Sequence, residues 1–202
     1  MQTFAIVRLL LLFIHVMAFA VALGCVLRED AKLLSAQPVD PISLRAAARL
    51  VRFALVILWA SGAALIVLDT GGAVLQVADN PKLLAKLTVV CVLTLNGIAL
   101  HCLAFPALCG EARFGRYGAS LAAALGGISA PSWLSATLLG IARGQAKGLD
   151  YADFMVAYGG IAAIALTFAL TVVRPRIVRK LAMGSRWFDA RLHGSADLPR
   201  LL

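Results

Sequence analysis

A chain of 202 residues that is 61% hydrophobic, with a mean hydropathy of +0.90, is too apolar for a water-soluble domain. Its length suits one compact helical domain and leaves almost no room for a separate soluble module. The net charge of +9 excludes nothing by itself, but its cations gather in some loops and avoid others, a membrane-protein bias that argues against a nucleic-acid partner.

Five apolar runs, near 4–27, 50–68, 83–105, 118–141 and 154–173, approach or meet the roughly 20 residues that cross a bilayer at 1.5 Å rise each. Barrel strands would alternate apolar and polar residues, whereas LLLLFIHVMAFAVALGCVL (9–27) is continuously apolar. The expectation is an all-α polytopic membrane bundle over residues 1–175, with lipid as its main partner and a basic amphipathic tail over 176–202.

In chain order, span one carries only Arg8 as a positive charge and exceeds the apolar length of a signal peptide, so it reads as a retained span despite the ALGC motif at 22–25. It ends at Arg28-Glu29-Asp30, and a short helical piece (31–36) and a Gln-Pro-Val-Asp-Pro breaker (37–41) follow. Ser43 is the expected cap of the next helix. Arg45, Arg49 and Arg52 then fall at i, i+4 and i+7 as one basic stripe, suited to anionic lipid headgroups.

Asp69-Thr-Gly-Gly closes span two, and Asn80-Pro81 opens span three. Span four contains Pro131, which predicts a kink. Gly118, Ala122 and Gly126 in span four, and Gly159, Ala163 and Thr167 in span five, repeat every four residues and favour close helix packing. Those faces would also serve a second copy or a membrane partner. In the tail, Ile177, Leu181, Phe188 and Leu192 recur at helical spacing among basic residues beside Trp187, the pattern of a helix lying on a membrane surface. Cys25, Cys91, Cys102 and Cys109 form no CxxC pair and read as small apolar fillers.

The segment 28–52, Arg113 and Arg116 in the third loop, and the tail after the last span hold most of the cations. That asymmetry predicts an outside N-terminus and a cytoplasmic C-terminus.

Ionisable residues inside a membrane rarely face lipid. Four stand out: Arg8 and His15 in span one, Lys86 and His101 in span three. Arg8 and His15 are two turns apart and share a face, as do Lys86, Val90, Thr94, Gly97 and His101. Counted along the helices, His15 lies about 16 Å inward, Arg8 about 6 Å and Lys86 about 3 Å, while His101 lies about 26 Å inward. An imidazole near mid-depth with two cations above it suits haem b, with His15 on iron and Arg8 and Lys86 at the propionates. Spacing alone fits at least as well a histidine that hydrogen-bonds a neighbouring helix, with Arg8 and Lys86 reaching the outer interface. His101 lies too deep for the second axial position and reads as a separate polar site.

Three segments carry a resemblance: His15 followed by Leu23-Gly24 and Arg28; RLVRFALVILWASG (49–62); and NPKLLAKLTVV (80–90). Together, over roughly residues 10–105, they resemble the bacterial superfamily of HemJ-type protoporphyrinogen oxidases and CopD-type copper-resistance proteins. The resemblance implies a four-helix core in a bacterial cytoplasmic membrane, haem b on His15, an important lysine at Lys86, and electron transfer or porphyrin oxidation. The chain departs from the pattern in its fifth span and in having MAFAVALG (17–24) where an aromatic-rich segment is usual. Copper transport would want more Met and His than it has.

Two other function classes compete: a transporter of a small solute or ion, drawing on the kinked span four and the polar stripe, and a non-catalytic assembly subunit, drawing on the small-residue faces. Nucleophilic catalysis is not expected, since neither Ser61 nor Ser129 has a base on its own helix face. Asp69, Asp79, Asp150 and Asp153 gather at one side and read as solvated loop acids.

Overall fold

The computed structural model describes residues 2–35, 40–73, 79–108, 117–142 and 148–182, with nothing said of the Ala107 side chain. Five helices long and apolar enough to cross a membrane make up the described residues: α1 (Gln2–Leu34), α2 (Pro41–Thr70), α3 (Pro81–Ala104), α4 (Gly118–Ile141) and α5 (Tyr151–Ala182). No strand occurs among the described residues, so the all-α membrane bundle stands.

Local chemistry sets the helix ends. Asn80 and Asp40 each precede a proline in the first turn; the Asn80 side chain accepts from the Leu83 N–H and that of Asp40 from the Ile42 N–H. Asp40, not Ser43, therefore caps α2; the Ser43 hydroxyl points sideways to Lys32 and Glu29. Gly71, at φ 60°, closes α2 in the left-handed conformation that glycine adopts without a Cβ clash. Asp150 and Asp153 cap α5 reciprocally, each carboxylate accepting from the other's backbone N–H at 3.0 and 2.9 Å. The piece expected over 31–36 is no separate helix, because α1 runs unbroken to Leu34.

Helix α3 widens to π geometry over Leu100–Ala104 and continues as Phe105–Leu108; α5 does the same over Ala169–Val173. Each wide turn stands just before a proline, Pro106 or Pro175. A proline ring collides with the carbonyl four residues back, and a π turn moves that carbonyl aside. Pro131 in α4 faces Gly127 at that spacing, and α4 stays α-helical throughout.

Helix α4 is the axis of the bundle, packing against α3, α5 and α1. Helices α1 and α2 pair along their length. Three apolar clusters stack from end to end. Ala85, Val89, Ala136 and Leu139 lie at one end, Ala18, Ala22, Ala54, Leu58, Leu93 and Trp133 in the middle, and Leu44, Ala104, Leu108, Ala122 and Ile177 at the other. Gly127 lets α5 come close: a Cβ there would lie 2.8 Å from the Ala169 Cβ. Of the expected small-residue faces, Gly118 and Ala122 are buried, whereas Gly159, Ala163 and Thr167 point out of the bundle.

The tail's first turns belong to α5, which carries Ile177 into the core and Lys180 to the end of α1, where its ammonium donates to the Lys32 carbonyl at 2.7 Å. Trp187, Phe188 and Leu192, like Arg113, Arg116 and Cys109, lie outside the described residues.

Candidate functional site between α1 and α2

Small residues (Ala18, Ala22 and Cys25 against Ala47, Ala54 and Ser61) bring α1 and α2 together and place His15 against α2. There the His15 Nδ1 meets the Ser61 Oγ at 2.8 Å. The direction of this bond can be worked out. Ser61 has one hydroxyl proton, and its Oγ lies 2.6 Å from the Ile57 carbonyl, which can only accept. The serine proton therefore goes to Ile57, Ser61 offers His15 a lone pair, and Nδ1 is the donor. A neutral imidazole with its proton on Nδ1 holds a free lone pair on Nε2. An orienting bond to the other ring nitrogen is how proteins hold a ligating histidine.

Gly62 borders the same ring. A Cβ at that position would stand 3.4 Å from His15 Cε1, so a larger residue would crowd the imidazole. Ser61 has a base beside it after all, supplied by a neighbouring helix, which corrects the expectation drawn from its own helix face. With its proton committed to Ile57, it remains a poor nucleophile.

The other expected site residues divide. Lys86 is half-buried on the first turns of α3. It has no hydrogen bond or ion pair among the described residues. Arg8 is paired: its Nε and Nη2 donate to the two Asp69 oxygens at 2.8 and 3.2 Å, tying the ends of α1 and α2 together.

His101 is remote from His15. It sits in the π turn of α3 with its ring edge-on to Phe105, centroids 5.9 Å apart. Its Nδ1 is buried and without a partner. Trp59, two residues before Ser61, donates from Nε1 to Thr94 Oγ1 at 3.0 Å, which sets Thr94 near the level of His15. His101 is seven residues further along α3, about 10 Å away along the axis.

Several polar contacts had no sequence signal because their partners lie on other helices. Asn96 donates to the Leu125 carbonyl at 3.0 Å, Ser132 and Tyr158 share a hydrogen bond at 2.9 Å, and Thr88 meets Tyr151 at 3.2 Å. These tie α3 and α5 to α4 and to each other. The outward groove of α5, lined by Ala163, Ile164, Thr167, Phe168 and Thr171, offers a ligand little, because both threonine hydroxyls bond to their own helix. Among the described residues no group of three His, Cys, Asp or Glu gathers as a metal-ion site would need. No family model matches the chain, and no curated protein or solved structure matches it either.

Proposed function

We propose that this integral membrane protein binds haem b through His15 and works in electron transfer or porphyrin oxidation. The observation that supports the reading is the His15 ring held through Nδ1 against Ser61, an arrangement that leaves Nε2 its lone pair in the neutral ring. A porphyrin supplies four of the iron's ligands, so one imidazole is enough for a site that lacks the several protein ligands of a bare metal ion. When bound, the haem would supply one-electron redox chemistry. His15 would hold the iron, Ser61 would keep the ring from turning, and Gly62 leaves the ring uncrowded. Lys86, a cation without hydrogen bond or ion pair among the described residues, would meet a propionate, while Arg8 braces the hairpin through Asp69. His101 stands apart as a second polar site and takes no part in ligation.

The same reading places the protein in a bacterial cytoplasmic membrane with the C-terminus inside. It draws on the cations Arg28, Arg45, Arg49, Arg52, Arg174 and Arg179, which belong to one end of the bundle, and on Arg8, Lys82 and Lys86 at the other.

The test is a reduced-minus-oxidised absorption spectrum of detergent-purified protein made with ample haem supply. The expected result is a haem b signal in the wild type and in His101→Ala, with its loss in His15→Ala. A wild-type protein without that signal, or a His15→Ala variant that keeps it in full, would remove the proposal. Uptake of a small solute by proteoliposomes of the colourless protein would then favour a transporter.

A further inference from the structure

Helices α2 and α3 do not pack closely along their length. They meet at the Trp59–Thr94 hydrogen bond and again where Leu44 joins Phe105 and Leu108 in the apolar cluster of the basic end. Between those two contacts few residues of the two helices approach each other, and the residues on the facing flanks follow from helical geometry. Seven residues make nearly two turns with a drift of about 20°. Arg52 lies seven residues before Trp59, and His101 seven residues after Thr94. Both therefore stand on the flanks that border this crevice, on the same side of the Trp59–Thr94 bridge. Arg45, seven residues before Arg52, repeats the position at the mouth, and Arg49 lies one turn from Arg52.

These arginines differ from most other cations of the molecule. Arg8 and Arg28 have carboxylates, Lys32 has Glu29, and Lys82 and Lys180 cap the ends of α4 and α1. Arg45, Arg49 and Arg52 are exposed and, among the described residues, have neither hydrogen bond nor ion pair. Across the crevice the His101 Nδ1 is buried and unsatisfied. Three unpaired guanidiniums and an unsatisfied imidazole nitrogen call for an anion with several acceptor oxygens. The exposed apolar side chains of Val56 and Trp59 beyond them call for the same molecule to carry a hydrocarbon part.

We propose that the basic half of the α2–α3 crevice binds the phosphate headgroup of an anionic phospholipid. Arg52 and Arg49 hold the phosphate, Arg45 guards the mouth, and His101 donates a hydrogen bond from the far wall. The acyl chains lie toward Trp59. The site does not depend on haem at His15.

Native mass spectrometry of the delipidated full chain in detergent, titrated with phosphatidylglycerol or phosphatidylcholine, tests this. Phosphatidylglycerol is expected to occupy one site in clear preference to phosphatidylcholine. Arg52→Gln and Arg49→Gln should each weaken it roughly fivefold. His101→Phe should weaken it as well, and His101→Gln, which restores a donor, should recover part of the loss. Arg174→Gln/Arg176→Gln, which removes two equally unpaired cations on α5 of the same basic end, should leave it unchanged. Equal binding of the two lipids would overturn the proposal. So would equal losses from the α5 pair, which would indicate general charge attraction, or full competition by millimolar inorganic phosphate, which would indicate a site for the free anion. The His101 pair is read alongside melting curves, so the test survives an arginine variant that folds poorly.

Discussion

Helices α4 and α5 lie side by side, carry similar stripes of small residues, and use them oppositely. In α4, Gly118, Ala122, Gly127 and Ala136 are buried beside Ser132 and Trp133. In α5, no residue from Tyr151 to Phe168 is buried, and Gly159, Gly160, Ala163 and Thr167 face outward. The more apolar helix of the pair is the more exposed one. In water the hydrophobic effect would forbid this order, but lipid is as apolar as a protein core, so packing fit and hydrogen bonds decide which helix goes inside. Helix α4 wins the centre because its glycine admits α5 and its Asn96 and Tyr158 partners meet it there.

The sharpest way to break that comparison is to truncate one aromatic on each helix. Trp133, 2% exposed and 5.4 Å from the Phe19 ring, fills the junction of α1, α2, α3 and α4. Trp133→Ala should cost about 3–5 kcal/mol in reversible unfolding from mixed micelles. Phe168→Ala, at a side chain open to lipid, should leave the unfolding curve within error. Next come the glycines. Gly127→Leu drives a side chain into Ala169 and should cost about 1–3 kcal/mol, while Gly160→Leu, with nothing within 4 Å of its Cβ position, should cost little. If Gly160→Leu destabilised the protein as much, α5 would be packed against a second copy or another membrane protein. The smallest effect is that of Tyr158→Phe. It removes the hydroxyl shared with Ser132 and should cost about 0.6 kcal/mol, the usual worth of such a bond between membrane helices.

Much of the fold was legible in the sequence, because span length and helix-end chemistry are local. The five spans and the Asn80-Pro81 start appear where expected. The cap of α2 was missed because Asp40 precedes Pro41 inside a stretch that reads as a breaker, while Ser43 is a good capping residue in isolation. The π turns before Pro106 and Pro175 carry a signal that could have been used: a proline inside an apolar run must displace the carbonyl four residues behind it. The outward turn of Gly159, Ala163 and Thr167 could not have been read, since small residues pack equally well inside a bundle or against another chain.

The candidate site was half legible. His15 and Lys86 stand out as ionisable groups within apolar runs. Ser61 shows no partner in the sequence, because periodicity reports only the neighbours along one helix and His15 is 46 residues away. For the same reason the pairing of Arg8 with Asp69, at the end of the paired helix, has no signal along either helix alone.

The most direct test of the account is the tautomer of His15, read from the two imidazole ¹⁵N chemical shifts of the haem-free protein with labelled histidine and His101→Gln to simplify the spectrum. The account predicts a neutral ring with its proton on Nδ1 and a bare Nε2, and a mixed or reversed tautomer in Ser61→Ala. A proton on Nε2 in the otherwise wild-type site, or an imidazolium at neutral pH, would contradict it.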